Sequence, residues 1–361
     1  MIKINSSEWT AIYLVHNELI YKSYNDYVEC NQTYKLKPQL FDFSPKVQKT
    51  TDVEVPASKS KARKRKLGIE NVNLLPETIE LKQSCEFLVT KLKELTENFK
   101  YFQRNNVESL SRIWEEPIVF PKLHGANARN NFQTFNLNNQ EYLIPPHCQF
   151  FNHDLLKLEE ISASLTKFDF VVIDPPWKNK YIKRIKKAKQ ELGYKMLDND
   201  ILSDIPLSSF IHCDSIVAVW CTNSNQHQQK LLNEFFPRWD LKLIHKIIWL
   251  KLNTAGSLIC DINDDNKKQP YEVLFIASHN ESKRDVSEKK KLKYILSVPS
   301  IIHSHKPPIL EIFRDILPPN PNSLELFARY LQPGFTSIGL EVLKLMDTRL
   351  YGQNNKERIS L

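Results

Sequence analysis

Residues 168–177 read FDFVVIDPPW: an apolar run from Phe168 to Ile173 delivers Asp174 into Pro175, Pro176 and Trp177. A short, nearly continuous apolar run fits a strand buried on both faces, as in a parallel sheet covered by helices. Asp-Pro-Pro cannot prolong the ladder, because proline donates no backbone hydrogen bond and forces its predecessor into an extended conformation. The strand is therefore expected to end in a stiff row of acceptors, one carboxylate and the neighbouring carbonyls. In open α/β sheets, ligands sit in the crevice outside such carboxyl ends.

That wall suits a ligand group carrying two donor hydrogens, an exocyclic amine. An adenine amino group is a poor nucleophile because its lone pair is delocalised into the ring. Holding both N–H bonds in acceptors favours pyramidal geometry and exposes the lone pair. Methyl transfer from a sulfonium donor then builds positive charge on nitrogen, which a preorganised carboxylate and carbonyl stabilise. In-line positioning supplies the rest. Trp177 offers a π surface for base stacking, worth about 1–3 kcal/mol. Asp174, Pro175, Pro176 and Trp177 are thus the expected catalytic set.

Directly downstream, Lys178, Lys180, Lys183, Arg184, Lys186, Lys187 and Lys189 place seven basic residues within twelve positions. A base presented to the wall belongs to a polyanion whose phosphates such side chains can track. Trp177, Lys178, Asn179, Lys180, Lys183, Arg184, Lys186 and Lys187 are the expected substrate contacts. The bland alternative for the run is a solvated helix face. A formal net charge of +8 over 361 residues agrees with an anionic partner but identifies none.

Further out, strand-like runs recur at 149–151, 215–221, 241–250, 271–277, 323–327 and 336–340, with helical segments at 225–236 and 308–316. This alternation predicts an open, largely parallel sheet covered on both faces. Upstream, residues 9–28 read as two β-rich runs around His16–Asn17–Glu18, a hairpin. KSKARKRK at 59–66 reads as a solvated linker, a nuclear-import signal or an RNA-gripping arm. From Pro76, Leu81, Leu88, Leu92, Leu95, Phe99 and Phe102 predict an amphipathic helix to about Gln103, followed by a second over 109–114.

Several classes are disfavoured. Seven glycines form neither GxGxxG nor GxxxxGK[ST], so neither a dinucleotide fingerprint nor a P-loop is expected. Six scattered cysteines without a CxxC pair fit a reducing compartment. His303 and His305 are spaced like a metal pair but lack a third ligand nearby, so no metal is expected. No apolar stretch reaches bilayer length and no secretory leader is seen, so a soluble intracellular protein without membrane contact is expected.

The ordered segments FDFVVIDPPWKNK, VWCTN, IIWLKL, KKQPYEVLFIA, SVPSIIHSHKPP and LELFARYLQPGFTSIGLEVLK span roughly 147–345. Together they resemble the Asp-Pro-Pro-Trp adenine-N6 methyltransferases. Within that family the likeness is to the branch linked to N6-methylation of 2′-O-methyladenosine in U2 small nuclear RNA, and also to DNA adenine. The resemblance implies an α/β fold: a Rossmann-like, S-adenosylmethionine-dependent core with a mixed, mostly parallel sheet and a smaller N-terminal α+β region. It implies an RNA (adenine-N6)-methyltransferase that is nuclear or also cytoplasmic, monomeric and metal-free, with DNA as the other substrate. A catalytically silent RNA-binding subunit is the remaining alternative.

Carried over by motif, the cofactor contacts are Asp154 and Leu155 at the adenine, Asp174, Lys306 at the methionine carboxylate, and Glu325, Leu326, Phe327 and Arg329 on the ribose side. Tyr330 and Leu340 stand where the family usually has a polar residue, and Glu341 is the expected substitute. Read from chemistry alone, Asp154 could equally cap a helix, Lys306 could be a surface residue, and Leu326 and Phe327 could be core strand. The expected organisation is a β-rich region at 1–58, a basic linker at 59–70, a helical region at 71–117 and a methyltransferase domain at 118–361.

Overall fold

The computed structural model describes residues 1–26, 28, 32–42, 76–96, 108–116, 118–177, 202–262 and 269–355. Both basic runs, 59–66 and 178–189, lie outside the described residues, as do Phe99 and Phe102. The strands are β1 (Ile2–Asn5), β2 (Thr10–Tyr13), β3 (Gln32–Leu36), β4 (Leu123–Asn127), β5 (Gln133–Leu137), β6 (Gln140–Ile144), β7 (Cys148–Asn152) and β8 (Phe168–Ile173). They continue with β9 (Ile211–Cys221), β10 (Leu241–Lys251), β11 (Tyr271–His279), β12 (Leu292–Ser297), β13 (Ser323–Leu326), β14 (Phe335–Gly339) and β15 (Tyr351–Asn355).

One 11-stranded sheet runs β1-β2-β12-β10-β11-β9-β8-β13-β14-β7-β4. Pairing is parallel through β2-β12-β10 and through β9-β8-β13-β14-β7, and antiparallel at β1-β2, β10-β11, β11-β9 and β7-β4. The mixed, mostly parallel sheet expected from the sequence is present. The apolar run of β8 has the reason anticipated for it. Phe168, Val171 and Ile173 pack into one core layer, Phe170 and Val172 into the layer on the opposite face. β9 divides the same way, with Val217, Val219 and Cys221 on one side and Ile216, Ala218 and Trp220 on the other.

The N-terminal segment departs from expectation. Residues 9–28 are not a hairpin: β2 is followed by helix α1 (His16–Asn25). His16, Leu19, Ile20 and Tyr24 are its buried positions, a helical spacing hidden among β-favouring aromatic residues. Nor do the described parts of 1–58 form a separate β-rich region. β1 and β2 extend the main sheet beside β12, and β3 pairs with β15 near the C-terminus. Helix α2 (Pro76–Leu95) buries Leu81, Leu88 and Leu92 against Ile4, Ala11, Tyr294 and Leu296. It stops at Leu95, whose side chain is exposed, rather than near Gln103. Helix α3 (Glu108–Glu115) occupies the second expected helical position.

Candidate active site

β8 lies between β9 and β13, and register pairs Ile173 with Val219 and with Leu326. Leu326 pairs in turn with Ile338, and Gly339 with Asn152. The carboxyl ends of β7, β8, β13 and β14 therefore share one edge of the sheet. Asp154, Asp174, Phe327 and Glu341, from four distant parts of the chain, follow those ends directly. β11, running the other way, starts at the same edge with Tyr271 and Glu272, since Val273 pairs with Cys221. Asp174 and Glu272 thus share that edge with the turns that follow β7, β13 and β14.

The Asp-Pro-Pro-Trp turn is held by its last residue. The Trp177 amide donates to the Pro175 carbonyl at 2.8 Å, and the indole Nε1–H donates to the Trp220 carbonyl at 2.8 Å. The Trp177 ring is 7% exposed and lies nearly parallel to His227, at 5.2 Å, and to Phe235, at 6.3 Å. This corrects the sequence reading of Trp177 as a stacking surface for the substrate base. The most apolar group of the motif is drawn into the core, where it anchors the turn. Asp174 and Pro176 stay partly exposed above it, and a quarter of the Asp174 side chain remains accessible. One lone pair of the Pro175 carbonyl is already used by Trp177.

Asp174 is not isolated. Lys306, 5% exposed, sets its Nζ 3.4 Å from Asp174 Oδ2 and 2.8 Å from Glu272 Oε2. Glu272 Oε1 also pairs with Lys251, and with His303 Nε2 at 3.2 Å. Burial raises the Asp174 carboxyl above its ordinary value and the Glu272 charge adds to this, while Lys306 and His303 oppose. Burial also pushes Glu272 up, but Lys306, Lys251 and His303 together outweigh it and hold its carboxyl well below the usual range. Lys306 is disfavoured as a cation by burial, yet Asp174 and Glu272 keep it charged above its usual range. The surface-residue reading of Lys306 is thereby excluded. His303 and His305 do not converge: His303 faces Glu272, while His305 packs edge-on against Tyr330 at 5.5 Å.

On the opposite flank, Glu325 is 5% exposed and accepts from Gln332 Nε2 at 2.7 Å. Burial pushes its carboxyl up to about 8, so at neutral pH it can donate as well as accept. Lys306, Glu325, Tyr330 and Gln332 line one narrow cavity with Trp220, whose buried Nε1–H finds no partner among the described residues. Arg329 links two loops, donating Nη1 to Ser304 Oγ at 2.7 Å and pairing Nη2 with Glu341 Oε2 at 2.9 Å. Glu341 also holds Lys344 at 2.8 Å.

Phe327 has φ 64°, a left-handed backbone that is costly for an aromatic residue and is found preferentially at functional sites. It turns the chain across Gly339, where any Cβ would collide with the Ala328 carbonyl oxygen. Leu326 and Leu155 are buried core residues. Asp154 realises the capping alternative, accepting from the Leu156 amide at 3.1 Å.

Sequence reasoning found Asp174, Lys306 and Glu325 but missed Glu272 and Lys251. An acid alternating with apolar residues at the start of a strand carries no signal until Lys251, His303 and Lys306 are folded against it. The described groups fit a ligand bearing a carboxylate and ribose hydroxyls: Lys306 is a buried cation, Glu325 and Gln332 are hydroxyl partners, and Trp220 Nε1–H is an unspent donor.

Residues 168–341 match the family model described as MT-A70. The chain is 34% identical over 275 residues to the mouse N(6)-adenine-specific methyltransferase METTL4, covering 71% of this chain and 55% of that protein. It is 27% identical over 369 residues to a Caenorhabditis elegans DNA N6-methyl methyltransferase, covering 92% and 96%. It is 33% identical over 208 residues to the N6-methyladenosine RNA methyltransferase MTA1 of Cryphonectria parasitica, covering 55% and 59%. The aligned region spans little more than half the length of the mouse and human METTL4 proteins, 55% and 59%.

Proposed function

Residues 168–341 form an MT-A70 methyltransferase-family domain on a Rossmann-like sheet, and from that premise we propose that the chain methylates N6 of adenosine in RNA, at an internal 2′-O-methyladenosine of U2 small nuclear RNA. The observation that carries the reading is Asp174, held partly open at the end of β8 by a buried Trp177 and set against the Lys306–Glu272 pair. The acceptor amine donates to the Asp174 carboxylate and to a carbonyl of the proline turn. Neither proline has an N–H to compete for those acceptors. Charge growing on N6 meets a carboxylate already in place, so solvent need not reorganise. Lys306 keeps two buried acids from repelling each other and holds Asp174 in register.

S-adenosylmethionine, when bound, supplies the electrophilic methyl group. Lys306 would meet its carboxylate, Glu325 with Gln332 and Arg329 its ribose side, and Asp154, Leu155 and Glu341 its adenosine end. Lys178, Asn179, Lys180, Lys183, Arg184, Lys186 and Lys187 would track substrate phosphates, giving affinity that falls steeply with salt. The reading includes a nuclear, monomeric enzyme that also works in the cytoplasm.

DNA adenine is the second reading, favoured by the near full-length match to a relative named for DNA. Methyl transfer from labelled S-adenosylmethionine to matched oligonucleotides of RNA, RNA carrying 2′-O-methyladenosine, and DNA separates the two. We expect the 2′-O-methylated RNA to be labelled at N6 and Asp174→Ala to abolish labelling. Label on DNA alone transfers the assignment to DNA. Absence of label on all three, or full activity of Asp174→Ala, overturns the enzyme reading.

A further inference from the structure

The matched domain begins at Phe168, yet the loops carrying Lys306 and Gln332 are fastened from behind by residues 14–24 and 40–41. The loop after β12, which brings His303 and Lys306 to the site, is tied at three places. Leu14 N–H donates to the Leu296 carbonyl at 2.8 Å, where β12 approaches its end. Ile301 N–H donates to the Leu40 carbonyl at 2.6 Å, and Leu40 is fully buried. His16, 2% exposed, sits edge-on to Phe41 at 5.5 Å and to Trp249 at 5.9 Å, and neither of its ring nitrogens meets a hydrogen-bond partner among the described residues, so it acts by packing.

The second loop, after β13, is fastened by the same helix two turns on. Tyr24, 1% exposed, donates its hydroxyl to the Leu331 carbonyl at 2.9 Å. Leu331 stands between Tyr330 and Gln332, and Gln332 holds Glu325. The two loops also touch each other, through Arg329 on Ser304 and His305 on Tyr330. A rigid α-helix therefore spans the back of both, at a spacing set by the eight-residue step from His16 to Tyr24.

We propose that α1 belongs to the catalytic apparatus, with His16 and Tyr24 as positioning residues that fix the spacing between the Lys306 loop and the Gln332 loop. Tyr24 acts through the Leu331 carbonyl it holds, and His16 through the ring packing that seats the segment against Phe41 and Trp249. The physical ground is that preorganised groups contribute only when held to within a fraction of an ångström by locked supporting contacts. Burial keeps His16 neutral, down to about 4, which spares Lys306 and Lys251 a third cation beside them.

The proposal rests on the methyltransferase reading for its kinetic arm, and hydrogen exchange of the ligand-free protein gives it a second arm that does not. Tyr24→Phe deletes one hydroxyl and keeps the ring, and His16→Ala removes the ring packed between Phe41 and Trp249. Lys35→Ala, which breaks an exposed pair with Glu18 on the same segment, is the control. We expect Tyr24→Phe to speed amide exchange about tenfold within 327–332, and His16→Ala within 298–306, with the rest of the sheet unchanged. Binding of S-adenosylhomocysteine by calorimetry should weaken about three- to tenfold in Tyr24→Phe, with KM for the methyl donor rising in step and kcat held within twofold. His16→Phe, which restores a ring between Phe41 and Trp249, should recover most of the protection lost in His16→Ala. Exchange and binding in both variants equal to Lys35→Ala would overturn the positioning role even if the wild type is fully active. A wild type that transfers no methyl group, with exchange altered as described, would overturn the functional reading and leave the positioning of the loops standing.

Discussion

The residue on which most of the site's electrostatics turn is Glu272. It is the shared partner of Lys251, Lys306 and His303, with only 13% of its side chain exposed, and it stands one lysine away from Asp174. Without it Lys306 would keep the Asp174 carboxylate, and Lys251 would lose the carboxylate it pairs with. Breaking a buried pair by removing one partner costs about 3–5 kcal/mol, because the orphaned charge stays in low dielectric. Glu272→Ala is expected to lose stability on that scale in urea unfolding. Glu272→Gln keeps the shape and should lose less, but Lys306 would then lean wholly on Asp174, pulling down its carboxyl and moving the acidic limb of the kcat profile to lower pH. An unfolding midpoint for Glu272→Ala equal to that of the wild type would show that the lysines find other partners. Leu340, 44% exposed, is the counterexample at this scale. Its side chain has nothing to offer a ribose hydroxyl, and neighbouring Glu341 is engaged by Arg329 and Lys344.

At the scale of the element, β8 and its turn work as one unit: a strand buried on both faces, an acid at its end, and an indole that plugs back into the core. Trp177→Phe separates this arrangement from a stacking platform. The substitution leaves the Trp220 carbonyl without its donor, a loss of about 1–3 kcal/mol. It also frees the turn, and a misplacement near 1 Å can cost about 10²-fold in rate. We expect a lower melting temperature and a kcat reduced between about 10- and 100-fold at nearly unchanged substrate KM. A change confined to substrate KM, with unaltered stability, would restore the stacking role.

The strand itself was readable residue by residue, since five of its six side chains are apolar and they face two core layers. α1 was not, because Ile20, Tyr21 and Tyr24 favour strands by type and only the buried set reveals the helical period. The β5–β6 hairpin was readable and was overlooked. Asn138 and Asn139 both have positive φ, 50° and 61°, which is the primed turn that an Asn-Asn pair favours. β12 escaped notice because lysines at 291 and 293 break its apolar pattern, although Leu292, Tyr294, Ile295 and Leu296 are buried. Asp-Pro-Pro-Trp announced the site, but the direction in which the indole points is decided by His227 and Phe235, some fifty residues downstream, and no local pattern carries it.

For the whole molecule, one sheet whose far edge is built from the first thirteen residues makes the buried titratable groups of both halves report on a common stability. Burial lowers His16 to about 4 and His305 to about 3, so at these two sites the unfolded chain binds up to two more protons than the folded one between roughly pH 4 and 6.5. Stability due to these two rises with pH across that window. Glu325 has the opposite sign. Its folded value, about 8, lies above the unfolded carboxyl range, so its contribution is complete in acid and is lost as pH climbs from roughly 4.5 towards 8. Asp174, raised as well, adds to that side. Between about pH 4.5 and 6.5 the two histidines outweigh Glu325, and above 6.5 only the carboxyls act, so these groups place a stability maximum near pH 6.5. Each uncompensated proton tilts the curve by about 1.4 kcal/mol per pH unit. Thermal melts from pH 4 to 9 should show the maximum. Glu325→Gln, which keeps the partner for Gln332 but cannot ionise, should flatten the alkaline limb and leave the acid limb in place. An alkaline limb unchanged by that substitution would mean that Glu325 is ionised in the folded protein, and its expected role as a hydroxyl partner would then have to be filled as an acceptor only.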